Sequence, residues 1–320
     1  MDKNKIAVVD YNDYTSGDEN KRKEFIKNFG DSFSNMGFAI VRNHGVSKEL
    51  KNKHFEVSKA FFALPTDVKK KYEDLSNAGQ RGYISKNRES AKGMSVPDIK
   101  EFYHIGQTVT DGDPIKEEYP DNIWPEEIQN FEEVTQEVYK TFENTGRNLL
   151  KSTALYLGLE ENYFTPKIHN GNSVLRLLHY YPVEDKSQIP EGAVRAAAHG
   201  DINLITLLMG GSAEGLEAQT MDGEWIPVSP ADDEIVINIG DMLARLTNDR
   251  FRSTQHRVIS PREESWLTPR YSTPFFLHPR SDMDLTCLDT CVSEENPKAY
   301  SDATAGQFLT ERLIELGLKK

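Results

Sequence analysis

From Val174 to Leu277 the chain is a succession of short apolar, β-rich runs, and this texture limits what it can fold into. The runs are Val174 to Tyr181, His199 to Met209, Leu216 to Thr220, Glu234 to Ile239, Gln255 to Ile259 and Tyr271 to Leu277, separated by turn residues. Such spacing predicts a β sandwich or barrel. The turn signals are local. Gly210-Gly211 follows the second run, and Asp222-Gly223 between Leu216 to Thr220 and Trp225 to Val228 predicts a hairpin.

The first half reads differently. A short strand at Ile6 to Asp10 precedes a helix with Phe25, Phe29, Phe33 and Met36 at helical spacing, stopped by Gly37. Phe38 to Val41 is a second strand, and Ser47 is the expected N-cap of a helix from Lys48 to about Leu64. A loop-rich passage runs from Gly79 to about Val96, and Pro125 to Leu159 carries a long amphipathic helical pattern. At the end, Thr304-Ala305-Gly306-Gln307 has capping-box form before Phe308, Leu309, Leu313 and Leu316, which predicts a closing helix.

Composition narrows the function classes. The formal charge of −13 disfavours a nucleic-acid partner, because phosphate binding relies on clustered Lys and Arg. No run approaches the roughly 20 apolar residues of a membrane span. The N-terminus lacks a long apolar h-region, so a cytoplasmic location is expected. Cys287 and Cys291, the only cysteines, do not have the spacing of a zinc or redox motif and read as incidental thiols. The partner expected is a small molecule, with no nucleic acid and no membrane, for a monomer or weak homo-oligomer.

Within the β-rich half, His199-Gly200-Asp201 sets an imidazole and a carboxylate one residue apart. In an extended segment both point to one face while Gly200 points away. Of the other histidines, His54 lies in a helical pattern where the acidic residue two positions on faces elsewhere, His44 sits in a turn beside Gly45 with a local capping or hydrogen-bonding role, and His104, His169 and His278 have no acidic or histidine partner at ligand spacing. His179, beside Tyr180 and Tyr181, is placed to line a site. His256 stands in the β-like run Thr254 to Ile259, which a barrel can bring beside His199. Two imidazoles and one carboxylate suit Fe(II) with open positions for a cosubstrate and O₂, yet zinc takes the same ligands and would serve a hydrolase. Fourteen residues beyond His256, Arg270-Tyr271-Ser272 puts a guanidinium and a hydroxyl on one strand face, a clamp for a carboxylate unless Arg270 is paired to an acidic side chain. Arg176, Arg195, Tyr83, Arg88 and Phe276 are further unranked candidates for the edge of a substrate pocket.

The ordered set His199-x-Asp201, His256 and Arg270-x-Ser272 resembles the isopenicillin N synthase-like family of Fe(II)/2-oxoglutarate-dependent oxygenases. So do Met36 to Val46 and Ala60-Phe61-Phe62-Ala63-Leu64-Pro65 in the leader. The resemblance implies a mainly β fold with helices: a double-stranded β-helix (jelly roll) core, an N-terminal helical/mixed domain and a C-terminal helix. It divides the chain into a leader domain at 1–110, a helical connection at 111–170 bracing the core, the catalytic core at 171–285, and a C-terminal extension and helix at 286–320. It further implies that His199, Asp201 and His256 bind Fe(II) and act as the catalytic centre, that Arg270, Ser272 and Tyr181 hold the distal carboxylate of 2-oxoglutarate, and that O₂ is consumed, with ascorbate as an accessory reductant. The products would be CO₂, succinate and an oxidised small molecule, hydroxylation being the commonest outcome. Three alternatives stay open: an oxidase of the isopenicillin N synthase type without 2-oxoglutarate, a metal-dependent hydrolase, and a non-catalytic jelly-roll binding protein. Two departures are visible, His179 where many plant members have Asn and Gly200 where many have Thr.

Overall fold

The computed structural model describes residues 4–77, 79–86, 88, 98–109, 111–183, 185, 187, 194–210, 214–260 and 262–315. Gly211, Leu316 and the passage 89–97 lie outside the described residues. The strands in chain order are β1 (Ala7–Asp10), β2 (Phe38–Arg42), β3 (Gly82–Ile84), β4 (Glu101–Gly106), β5 (Val174–Tyr180), β6 (Ala196–His199), β7 (Ile205–Gly210), β8 (Leu216–Gln219), β9 (Trp225–Pro227), β10 (Glu234–Ile239), β11 (His256–Val258) and β12 (Arg270–Leu277). The main helices are α1 (Tyr11–Thr15), α2 (Glu19–Met36), α3 (Lys48–Phe62), α4 (Thr66–Lys69), α5 (Phe131–Tyr156), α6 (Thr165–Ile168), α7 (Asp241–Leu246) and α8 (Ala305–Glu315). Among the described residues no helix is long and apolar enough to cross a membrane.

Two sheets face each other as a jelly roll. The major sheet has eight strands in the order β1-β2-β10-β7-β12-β5-β4-β3, and the minor sheet four in the order β6-β11-β8-β9. Among the described residues only the β1–β2 pairing is parallel. Strands from the first 110 residues therefore lie in the same sheet as β5, β7, β10 and β12.

Alternation along β12 and β5 divides the side chains between two cores. The outer face of the major sheet, with Leu175, Leu177, Ile205, Leu207, Phe275 and Leu277, packs with the apolar sides of α2, α3 and α5. Each large side chain buried there contributes roughly 1.5–3 kcal/mol. The approach of α5 is close because Gly146 has no side chain: a Cβ there would stand 2.3 Å from Leu277 Cδ1. The inner core lies between the sheets and includes Phe38, Phe102, Leu178, Tyr180, Ala196, Leu216, Ala218 and Val258.

Local signals explain most boundaries. Gly37 takes φ 68° and ends α2, and the Ser47 side chain accepts from Leu50 N to open α3. At α8 the capping box closes both ways, Thr304 N donating to Gln307 Oε1 at 2.8 Å and Gln307 N to Thr304 Oγ1 at 3.3 Å. The Asp222-Gly223 hairpin forms with Gln219 opposite Trp225 and Gly223 at φ 87°. Other expectations need correction. The helical pattern expected from Pro125 begins only at Phe131, after Asn130 turns the chain at φ 60°. The passage expected to be loop contains β3, and β4 follows it without any alternation of apolar and polar residues to announce it. The run His199 to Met209 is two strands in different sheets: β6 ends at His199, the chain crosses over residues 200–204, and β7 starts at Ile205.

Candidate metal centre

That crossing places Asp201. It belongs to no strand, and its backbone carbonyl accepts from Asp241 N at 2.7 Å at the start of α7. Period-two alternation along a single strand is thus not what aims its carboxylate; the passage from minor to major sheet is. Gly200 sits inside this turn, where a Cβ would come 2.9 Å from Ser253 Oγ. His199 and His256 are register partners across β6 and β11, their ring centroids 4.5 Å apart. One ligand atom from each of His199, Asp201 and His256 lies within 4.8 Å of the others, a separation that suits a single ion.

Each of the three is held by the atom that faces away from the common point. His199 Nδ1 bonds Ala197 O at 2.7 Å, and His256 Nδ1 bonds Thr254 O at 3.2 Å, so both rings carry the proton on Nδ1 and offer Nε2 as a lone pair. Asp201 Oδ2 accepts from Thr206 Oγ1 at 2.6 Å and Asn238 Nδ2 at 2.7 Å, leaving Oδ1 towards His256 Nε2 at 3.8 Å. Burial and then the neighbouring His256 push His199 down to about 4, which keeps it neutral at neutral pH. For Asp201, burial acts to raise the pKa, but His256, His199, Thr206 and Asn238 outweigh it and the carboxyl is lowered. Neutral imidazoles, an ionised carboxylate and preset orientation are what a divalent metal requires.

The triad opens into a cavity between the sheets, lined also by Phe38, Lys100, Arg176, Leu178, Tyr180, Leu208, Arg270, Ser272 and Phe276. Arg270 is buried, with Nη1 3.2 Å from Ser272 Oγ and its guanidinium over the Tyr180 ring at 5.1 Å. Burial lowers its pKa, and Tyr180 acts in the opposite direction. The sequence-predicted Arg270 and Ser272 therefore meet the triad's cavity. Tyr181 does not. On β5, Arg176, Leu178 and Tyr180 share the inner face, and Tyr181 lies one residue beyond the strand with its ring against Lys86 Nζ at 4.1 Å. The tyrosine beside Arg270 is Tyr180, whose register partner is Arg270 itself.

The remaining candidates separate. Arg176 and Phe276 line the cavity. Arg195 is buried behind it, donating to Tyr180 O, Ser265 O, Thr268 O and Ser260 Oγ. Tyr83 and His179 both bond Glu101 on the outer side of the sheet, and Arg88 is exposed near Glu73. Sequence reasoning missed Thr206, Asn238 and Lys100. For the first two a signal was present: each is a polar residue inside an apolar strand, which buries only with a partner.

Comparison with known proteins follows the same outline. Residues 6–127 match a family model described as the N-terminal region of non-haem dioxygenase in morphine synthesis, and residues 171–279 match that of the 2OG-Fe(II) oxygenase superfamily. A proline hydroxylase of Petromyces alliaceus is 32% identical over 97% of this chain and 99% of its own length. A crystal structure of a 2OG-Fe(II) oxygenase family protein from Caulobacter crescentus is similar at a TM-score of 0.87 and 42% identity, covering 97% of this chain and 99% of that one. A full-length Neurospora crassa protein in complex with alpha-KG is similar at a TM-score of 0.85 and 29% identity, covering 96% of this chain and 95% of its own.

Proposed function

The chain belongs to the 2OG-Fe(II) oxygenase superfamily, and from that premise we propose that His199, Asp201 and His256 hold Fe(II), that Arg270, Ser272 and Tyr180 receive the distal carboxylate of 2-oxoglutarate, and that a small molecule is hydroxylated. The observation that carries this reading is the convergence of the three ligand atoms on one cavity that also holds Arg270 and Ser272. When bound, Fe(II) supplies O₂ activation coupled to decarboxylation of 2-oxoglutarate to succinate.

The chain's own residues have separable tasks. Ala197 O and Thr254 O hold the imidazole tautomers, and Thr206 and Asn238 fix Asp201, so hydrogen bonds within the chain orient the ligand atoms. Arg270 presents a planar fork, Ser272 a hydroxyl and Tyr180 a phenol, which suits a carboxylate better than a point cation would. Leu178, Leu208, Leu216 and Val258 line the cavity with hydrocarbon and exclude water from the reacting atoms. Cys287 and Cys291 are buried free thiols, in keeping with a reducing compartment such as the cytoplasm.

The test is anaerobic titration of the Fe(II) protein with 2-oxoglutarate, followed by admission of O₂. A visible charge-transfer band and O₂-dependent succinate formation are expected. Absence of both overturns the reading. O₂ consumption without the band would favour an oxidase that uses the Arg270 clamp for its substrate.

A further inference from the structure

The carbonyls that hold the two imidazoles belong to residues that are themselves anchored, and the anchors are unequal. His256 Nδ1 bonds Thr254 O, and Thr254 Oγ1 donates to Met36 O at 2.7 Å, a bond between neutral groups. His199 Nδ1 bonds Ala197 O, and Ala197 N donates to Asp98 Oδ1 at 3.1 Å. Asp98 is buried, and its other oxygen, Oδ2, accepts from Lys100 Nζ at 2.8 Å. The His199 side thus ends on a buried ion pair.

The two strands differ in what else supports them. β11, which carries His256, is paired on both sides, with β6 and with β8. Among the described residues β6 is the end strand of the minor sheet and pairs with β11 alone. The register between them shifts: His199 faces His256 and Ala196 faces Val258, so Ala197 and Ala198 together stand opposite Arg257. An extra residue of this kind bends its strand and re-aims the neighbouring side chain, which here is His199. It also takes backbone groups out of the ladder, and a buried donor left so must find another acceptor. Asp98 supplies that acceptor at Ala197, from outside the stretch 171–279 that holds all three ligands.

We propose that Asp98 is a positioning residue for the metal centre: by holding Ala197 N, its carboxylate fixes the bulge and so the direction of His199. The proposal rests on the oxygenase reading above. Glu101, three residues on, shows what a bracing carboxylate looks like instead. It is equally buried and paired to Lys69, but its partners Lys69, Tyr83 and His179 lie on no segment that carries a metal ligand.

The experiment compares two double variants of the full chain, an amide variant (Asp98→Asn with Lys100→Met) and an apolar variant (Asp98→Leu with Lys100→Met). Each removes both charges of the pair together, so neither is left buried without the other. They differ in whether position 98 offers an oxygen to Ala197 N. Fe(II) affinity is read anaerobically by competition with a chromophoric chelator, and Co(II) alone reports the ligand field through its visible bands. The apolar variant is expected to bind Fe(II) about tenfold more weakly than the amide variant, the lower end of what loss of an outer hydrogen bond costs a metal site, because Asp98 acts through one residue more. Its Co(II) bands should shift. The amide variant should stay within about threefold of the unaltered protein, since neutral groups can replace a buried ion pair without loss. Glu101→Gln is the control for lost stability and should leave the affinity in place.

Equal Fe(II) affinities in the two double variants overturn the proposal, even where the apolar one melts lower. A weakened apolar variant whose Co(II) bands do not move overturns it as well, because His199 then points as before. So does an amide variant as weak as the apolar one, or a Glu101→Gln protein as weak as either. Should the apolar variant not fold, Asp98→Ala with Lys100→Met takes its place under the same outcomes. Failure of the unaltered protein to bind Fe(II) or Co(II) overturns the oxygenase reading and this proposal together, whereas normal binding with equal double variants removes the role of Asp98 alone.

Discussion

Two buried carboxylates lie on opposite faces of the major sheet, and their surroundings differ in one respect. Glu101 on β4 is closed: Oε2 accepts from Lys69 Nζ at 2.8 Å and Tyr83 OH at 2.5 Å, and Oε1 is 2.8 Å from His179 Nδ1. Asp201 is half open: two donors hold Oδ2, while Oδ1 faces a histidine nitrogen 3.8 Å away and the cavity. Both are as buried as apolar side chains, with an imidazole close by. A carboxylate whose oxygens are all occupied braces the fold, and one with an oxygen held back can bind an ion. Burial and an acid–histidine pair alone do not tell the two apart.

The contrast breaks most sharply if either residue is removed. Asp201→Ala should abolish iron binding and reduce turnover to background, well beyond the ~10–100-fold that loss of an outer hydrogen bond costs a metal site. Metal content by atomic absorption checks it. Glu101→Ala should do the reverse, costing about 3–5 kcal/mol of stability because Lys69 is left buried without its counter-charge. Denaturant unfolding measures this.

The same carboxylate carries a pH signature. Burial acts to raise Glu101, but hydrogen bonds from His179, Lys69 and Tyr83 outweigh it and hold the group at about 2 against an ordinary 4.5. A depressed folded value means its contribution is complete above pH 4.5 and is lost as pH falls towards 2. The stability gap between the unaltered protein and Glu101→Gln should therefore narrow across that window. A gap constant with pH would show that the carboxyl titrates alike in the folded and unfolded states, and a gap that widens as pH falls would show that it is held protonated in the fold.

Smaller effects sharpen the open side. Arg270→Ala should weaken 2-oxoglutarate by about 2–5 kcal/mol while iron remains bound, and loss of iron there would contradict its assignment. Asn238→Ala should weaken iron by about 10–100-fold, since Asp201 keeps Thr206 but loses one of the donors on Oδ2. Tyr180→Phe should raise the 2-oxoglutarate requirement by a factor of about 2–10, the worth of one hydrogen bond, and Tyr181→Phe should leave it unchanged. Equal effects of the two tyrosines would undo the alternation argument.

Much of this was legible before any coordinates. Helix ends followed from Gly37, Ser47 and the Thr304–Gln307 box, because caps act over three or four residues. His199, Asp201, His256, Arg270 and Ser272 were identifiable by residue type and order, and the structure brings all five to one cavity. Tyr180 rather than Tyr181 lines the cavity beside Arg270, because a strand's side chains alternate and a shift of one residue changes face. β4 was silent in sequence: Glu101, Tyr103 and His104 do not look like a buried strand until Lys69, Tyr83, His179 and Arg176 arrive from elsewhere to satisfy them.

The sequence by itself determined the chemistry available, namely two imidazoles, a carboxylate, a guanidinium and a hydroxyl in a β-rich frame, because those properties belong to residues and short spacings. Only the tertiary structure decided which carboxylate oxygen faces the cavity and which tyrosine lies beside Arg270. Those depend on register between strands distant in the chain and on the crossing at 200–204 from one sheet to the other, where no local rule reaches.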